Sequence, residues 1–359
     1  MAESEIFDDY TYVLVKIAAA KGALIDRQKF LELADSKNLE EFKSKLASMQ
    51  KDLSSEIIHT SKDLEGSCRS VFFNYIQKIV QNCPFTCQTF VKYFLQKYQI
   101  ENLKTVLAGK IANIDEMTLK ERINFQIETI FHSERLIRDA LHVAKFEDVV
   151  FLYSRTPYHE ILREIQKRYE GTKEIFFIYA LLDRYYIRIL YKTIEDNRWS
   201  QEELDVIKMY SGTLADFYNL SMVLRGINHN FEWNEIEVLL TGPNETYKIK
   251  HDDLKVIHRI GKDSTKIADE LKNLGKRYSG GGAFVFSIDP AHVINSLKKF
   301  YFHIQLSFLK KRMLNEGYEF AQIIAFILRK EAEIDNIITI LEGIKTETDR
   351  ETIKEYLLI

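Results

Sequence analysis

The chain has 359 residues, with 50 basic and 53 acidic side chains, a net charge of −3 and a hydrophobic fraction of 46%. That is enough apolar material for two or three packed domains, and the near balance of charge excludes a broad phosphate-neutralising surface for nucleic acid. Four prolines and 14 glycines are too few for turn-dense β architecture and favour long helices.

The chain opens on an acidic stretch, Met1 to Asp9, with no basic region followed by an apolar run, so no signal peptide is expected. The three cysteines, Cys68, Cys83 and Cys87, are an odd and low count that fits a reducing compartment. Cys83 and Cys87 stand four apart, but a structural zinc site needs four ligands in recognisable spacing. No second pair or nearby histidine supplies the rest, so they read as buried free thiols. Next comes the octet Asn102-Leu103-Lys104-Thr105-Val106-Leu107-Ala108-Gly109, in which Leu103, Val106 and Leu107 fall at i, i+3 and i+4 on one helical face. Thr118 with Glu121 has capping-box spacing, and Thr156-Pro157 offers an N-cap followed by proline in a first helical turn.

The longest apolar run, Ile175 to Leu182, is closed by Asp183 and Arg184. It falls short of the roughly 20 residues that cross a bilayer. No direct membrane span is expected, and any membrane association must come through a partner. Aromatics are frequent at 12% of residues, as at Tyr185, Tyr186 and Tyr191; core and interface packing accounts for them better than base stacking.

A second octet, Asn219-Leu220-Ser221-Met222-Val223-Leu224-Arg225-Gly226, shares five of its eight residues with the first. Thr241-Gly242-Pro243-Asn244 then reads as a linker. Gly261-Lys262-Asp263-Ser264-Thr265 has the end of a phosphate loop but carries Val256 where that loop needs its first glycine. Tyr278-Ser279-Gly280-Gly281-Gly282 reads as a flexible loop, with Val285 and Phe286 in a short extended piece beyond it, and Asp289-Pro290 offers another helix start. Lys276-Arg277-Tyr278 and Lys310-Lys311-Arg312 are small basic clusters, either solvated faces or contacts for acidic partner loops or lipid headgroups. A third octet, Asn336-Ile337-Ile338-Thr339-Ile340-Leu341-Glu342-Gly343, precedes Thr352 and Glu355, again at capping-box spacing. The nine histidines are scattered singly, and no His-Glu-x-x-His or nucleophile-elbow pattern occurs. No catalytic, cofactor-binding or metal-binding residue is expected.

Asn102, Asn219 and Asn336 are separated by 117 residues twice over. The register extends to Leu119, Ile236 and Ile353, ten residues after each glycine, and to Ile123, Leu240 and Leu357. Repeats of helix pairs run at about 34 to 47 residues, so this period is that of a domain-sized helical unit present three times. The expected domains are 1–125, 126–242 and 243–359. An asparagine inside a helix is costly to bury without a hydrogen-bond partner, and Gln99, Asp216 and Glu333, one turn earlier, are the expected partners. Gly109, Gly226 and Gly343 permit a close approach or end the helix. Together with Leu103, Leu220 and Ile337, these residues define the fold of each repeat; they can also line a cavity if the three helices surround a common axis.

The thrice-repeated Asn-Leu-x-x-Ile-Leu-x-Gly pattern resembles the C subunit of archaeal and vacuolar-type ATP synthases, whose eukaryotic vacuolar counterpart is named with the letter d. The segment from Glu319 to Asn336 is similar to the family's Ile-Leu-x-Lys-Glu-x-Glu-x-x-Asn run, and Leu214 to Leu220 and Thr156-Pro157-Tyr158 resemble it too. The likeness runs from about Tyr10 to the C-terminus. The family's basic residue directly after Asn-Leu is kept only at Lys104; Ser221 and Ile338 replace it. The resemblance implies an all-α fold of three similar helical domains in pseudo-threefold arrangement, funnel-shaped with a central cavity. It further implies a non-catalytic adaptor, without cofactors, held peripherally on the cytoplasmic side of the membrane. Its partners would be the proteolipid ring of the membrane sector and the central-stalk subunits, between which it transmits torque. A helical protein–protein interaction scaffold without a rotary role is the alternative.

Overall fold

The computed structural model describes residues 10–49, 64–196, 199–278, 284–289, 292–314 and 318–358. All regular elements among them are helices, and none of these is long and apolar enough to cross a membrane. Met1 to Asp9, Gly280 to Gly282 and Pro290 lie outside the described residues.

The element order repeats with the sequence. Three long helices, Phe85–Ile111, Gln201–Asn228 and Glu319–Lys345, are each followed by a short one: Glu116–Arg122, Trp233–Glu237 and Arg350–Tyr356. Each long helix is preceded by another of five turns or so: Leu64–Val80, Phe176–Asp196 and Val293–Arg312. The long helices start within one residue of the 117-residue period.

The chain forms two compact units. The first takes the described residues within Met1–Thr89, Trp199–Val206 and Gly275–Ile359; the second takes Phe90–Arg198 and Ile207–Leu274. In the first unit, Glu319–Lys345 is the central element. It packs against Thr11–Lys21, Arg27–Ala34, Leu39–Met49, Leu64–Val80, Val293–Arg312 and Arg350–Tyr356. The reason lies in its sequence: Phe320 to Leu328 has no polar face, and a helix apolar all round is stable only when surrounded. Ile323, Phe326, Ile327, Ile334 and Ile340 are buried there, with Val13, Ile17, Leu33, Phe42, Phe72 and Phe73 from the N-terminal part of the chain. Each fully buried side chain of this size contributes about 1.5–3 kcal/mol. Much of the aromatic content goes into this core, where Phe284, Phe286 and Tyr278 all meet the Phe300 ring at 5.1–5.4 Å between centroids. Glu203 is also buried here. Its carboxylate accepts from the Tyr10 hydroxyl (2.8 Å), the Thr86 hydroxyl (2.6 Å) and the Ser200 N–H (2.9 Å).

In the second unit, His159–Thr172 packs on Phe176–Asp196, and the buried Tyr218 hydroxyl binds the carbonyls of Ala180 (2.8 Å) and Leu239 (2.9 Å). Phe90 and Phe94 flank the Tyr210 ring, and the Tyr186 hydroxyl reaches the Phe94 carbonyl at 3.1 Å.

Local expectations need correction at several points. The helix after Thr156-Pro157 starts at His159, two residues later than the N-cap reading; Thr156 instead ends a short 3-10 turn, and its hydroxyl accepts from the Tyr158 N–H at 3.2 Å. Thr118 and Thr352 are not N-caps. Asp115 and Asp349 are, each accepting the backbone N–H and hydroxyl of the threonine three residues on. The carboxylates win because they stand at the first non-helical residue, with two acceptor oxygens for the orphan donors of the turn. Gly261 ends one helix at φ +66°, and Asp263 caps the next by accepting from the Lys266 N–H at 3.1 Å. Gly261 to Thr265 is therefore a turn between helices. Val285 and Phe286 form no strand.

Candidate functional site

The three repeated octets build the same joint three times. In each, the apolar triad is buried: Leu103, Val106 and Leu107; Leu220, Val223 and Leu224; Ile337, Ile340 and Leu341. The helix then ends one turn past the glycine, with a residue in the left-handed region: Asn113 (φ 53°), Asn230 (φ 58°) and Glu347 (φ 55°). The carbonyls of Gly109, Gly226 and Gly343 accept from the N–H groups of Ile114, Phe231 and Thr348, each at 2.9 Å. Asn113, Asn230 and Glu347 bond back to Lys110, Ile227 and Ile344. This pair of bonds is the Schellman motif. The repeated glycine is thus not the left-handed residue but stands four positions before it.

Its role is room. A Cβ at Gly109 would lie 2.2 Å from Leu119 Cδ2, one at Gly226 2.3 Å from Ile236 Cδ1, and one at Gly343 2.5 Å from Ile353 Cγ1. The short helix after each turn folds back and seats its apolar residue on the glycine. The spacing of ten residues in the sequence is this contact.

The asparagines hold the chain as it leaves that short helix. Asn102 accepts from the Asn124 N–H (3.0 Å) and donates to the Asn124 carbonyl (2.9 Å). Asn219 accepts from the Thr241 N–H (2.9 Å) and donates to the Thr241 hydroxyl (3.0 Å). Asn336 accepts from the Leu358 N–H (2.6 Å) and donates to the Leu358 carbonyl (3.5 Å). The contact is 22 residues on in each case, and all three asparagines are buried.

Gln99, Asp216 and Glu333 are therefore not the partners of the asparagines. Gln99 donates to Ser133 Oγ (2.8 Å) and Glu128 Oε2 (3.3 Å) and accepts from the Tyr158 hydroxyl (2.6 Å). Asp216 accepts from the N–H groups of Tyr247, Lys248 and Ile249 at 2.8–3.3 Å. Glu333 accepts from the Ile25 N–H at 2.8 Å and pairs with Lys330. One turn of helix separates these residues from the asparagine, but their longer side chains leave it sideways toward other segments. The stretch at Thr241 to Asn244 is consequently anchored on both sides, by Asn219 and by Asp216.

Lys104, Ser221 and Ile338, directly after the Asn-Leu or Asn-Ile pair, are all buried. Lys104 meets Glu101 and Asp183 at 2.6 Å each. Burial alone would lower its pKa, but these two carboxylates outweigh it and raise it. Its charge is answered within the unit.

Glu128 was not legible as a site residue. It is 1% exposed and accepts from Asn102 (2.8 Å), Gln99 (3.3 Å) and Ser133 (2.5 Å), all neutral donors. Burial raises its pKa above 4.5, only partly opposed by these bonds. A folded-state pKa above the unfolded one means that Glu128 favours the folded state below about pH 4.5 and that this contribution is lost as pH rises through the folded value. The difference in unfolding free energy between the natural chain and Glu128→Gln should therefore change across that window, the natural chain losing stability relative to the variant as pH rises. Urea titrations between pH 4 and 8 test this; parallel profiles would refute it.

All three cysteines are buried, and none is in a disulfide among the described residues. Burial pushes the Cys87 thiol up, with Cys83 and Glu203 adding to the effect, which leaves it unreactive. Among the described residues no group of three or more His, Cys, Asp or Glu side chains is placed to hold a metal ion. Arg312 is paired with Asp205 at 2.8 Å, whereas Lys310 and Lys311 are exposed. Lys276 and Arg277 are exposed beside the buried Tyr278.

Residues 13–356 match the family described as ATP synthase (C/AC39) subunit. A protein named as the C subunit of the A-type ATP synthase, from Methanocaldococcus jannaschii, is 26% identical over 366 residues, covering 97% of this chain and 86% of the relative. Proteins of the same name from Methanobrevibacter smithii and Pyrococcus horikoshii are 23% and 22% identical, covering 92% and 98% of this chain and 84% and 90% of those relatives.

Proposed function

Because the chain belongs to the ATP synthase (C/AC39) subunit family, we propose that it is the C subunit of a rotary A-type or V-type ATP synthase. In this reading it is a non-catalytic adaptor that couples the central stalk to the proteolipid ring and carries torque between them. The family match along nearly the whole chain is the observation that carries it. The repeats 1–125, 126–242 and 243–359 would form three similar helical domains about a pseudo-threefold axis, with the foot of the stalk seated in the cavity between them. It would sit on the cytoplasmic side of the membrane, held peripherally through its partners.

The joints described above support this reading physically. A torque coupling must be stiff, and a close-packed helical interior is stiff. Each octet adds a locked helix end, a glycine contact without slack and a doubly bonded asparagine. The buried position of all nine octet core residues favours the structural role of the motif.

Two measurements test the proposal. The chain should co-purify with the proteolipid ring and stalk subunits in mild detergent. Its omission from a reconstituted complex should leave ATP hydrolysis by the catalytic head but abolish coupled ion transport. Coupled transport without the chain would reject the reading, and a soluble, ring-free set of partners would favour the scaffold alternative.

A further inference from the structure

The residue three before each octet reaches forward along the chain. Gln99 binds Glu128, 29 residues on, and Asp216 binds Tyr247, 31 residues on. Both partners lie just past the start of the following repeat, in chain that is covalently continuous with the helix that grips it. Glu333 has no following repeat. It grips Ile25, 308 residues away and near the other end of the chain. The first unit is thereby closed by a clasp between elements that no short segment ties together, and the entropy of such closure grows with the length of the loop.

Charge surrounds this clasp. Glu333 is paired with Lys330, both buried. Lys354 Nζ meets Asp35 Oδ1 at 2.8 Å, joining the last short helix to the residue after Arg27–Ala34. Arg69 meets Asp335 at 2.8 Å, two residues from Glu333. Between the pairs, Ile25, Phe30 and Leu33 are buried, and Thr11–Lys21 and Arg27–Ala34 lie against Glu319–Lys345. A buried carboxylate gripping one backbone N–H is strong while it is fully satisfied and costly once a partner is lost.

We propose that this junction is a lock: the Glu333–Ile25 clasp, backed by Asp35 and Lys354, holds residues 10–49 on the Glu319–Lys345 helix, and its loss lets residues 11–34 open locally more often. The use of such a seam, to admit or release the foot of a stalk, rests on the function proposed above. The lock itself rests only on contacts inside the first unit.

Hydrogen exchange on the full chain separates the two. Glu333→Gln keeps the acceptor but removes the charge, and Asp35→Lys replaces an attraction by a repulsion at a half-exposed site where folding is safe. Glu333→Gln should speed exchange across residues 11–34 by at least about tenfold, the equivalent of roughly 1.4 kcal/mol of local opening; Asp35→Lys should speed it in the same residues by a smaller factor; and both should leave residues 207–228 unchanged. Adding Lys354→Asp to Asp35→Lys should restore slow exchange. Unchanged exchange at 11–34 in both variants, or an equal rise at 207–228, overturns the lock. Co-purification with the ring, measured separately on the natural chain, bears on the rotary reading and not on the lock.

Discussion

Gly226→Leu should lower the unfolding free energy by about 2 kcal/mol. The Cβ alone would stand 2.3 Å from Ile236 Cδ1 and 2.6 Å from its Cγ1, and the rest of the leucine has to enter the same packed space. Ile236 is buried and is held by the Schellman turn on one side and the Asn219 contact on the other. Overpacking of this kind costs roughly 1–3 kcal/mol, and the better helix propensity of leucine returns just under ~1 kcal/mol. Gly226→Ala already puts a Cβ against both Cδ1 and Cγ1 of this β-branched side chain and should cost about 1 kcal/mol, less than the leucine because only one carbon is added. Ile236→Ala on its own opens a cavity, at roughly 3 kcal/mol. Combined with Gly226→Leu it should cost at least about 1 kcal/mol less than the two single changes added, because each relieves the other. Urea denaturation of the four proteins measures this. Simple additivity would mean that the glycine is not where the short helix seats.

How much of this was legible follows from what kind of atom each contact uses. The glycine and the residue ten positions later are both side-chain requirements, so Gly109 with Leu119, Gly226 with Ile236 and Gly343 with Ile353 show in the sequence as a fixed pattern. The asparagine contact does not, because its far end is backbone. Asn124, Thr241 and Leu358 share a position and an N–H but no side chain, and any residue satisfies an amide oxygen with its own N–H. Without that signal, the polar side chains nearest in sequence, Gln99, Asp216 and Glu333, stand out in its place. Asp115 and Asp349 stand six residues after their glycines, but the Thr–Glu spacing beside them imitates a capping box and obscures the Asp–Thr pair that forms the cap. Glu128 has a glutamate 117 residues on, Glu245, but Glu245 accepts from the Gly242 N–H rather than from the repeat asparagine, so two glutamates without a third copy did not mark a shared site. The helical class, by contrast, was written into every segment through the i, i+3, i+4 spacing and the scarcity of proline.

The loss at Asp216→Ala should be the largest of any single side-chain truncation in the second unit that leaves the apolar core intact, about 3 kcal/mol. One carboxylate there takes the N–H groups of three successive residues, Tyr247, Lys248 and Ile249. Hydrogen bonds to a charged group contribute roughly 1.5–3 kcal/mol each, and a buried donor left unpaired costs about 1–3 kcal/mol. The full sum does not apply, because Tyr247 and Lys248 are exposed enough for water to replace the carboxylate, while Ile249 is buried. Gly212, one turn earlier on the same helix face, is part of the same device. A Cβ there would lie 3.0–3.2 Å from the Cβ, Cα and N of Tyr247, so the glycine lets the segment come down onto the helix and the aspartate fastens it. Asp216→Asn keeps one acceptor and should lose only about 1–2 kcal/mol. Denaturation gives the magnitudes, and hydrogen exchange should show the amides of 247–249 opening in Asp216→Ala while those of Leu103 to Leu107 keep their protection. If 247–249 stay protected in Asp216→Ala, the carboxylate is not what fastens this segment, and the clasp that Glu333 makes on Ile25 loses its closest parallel.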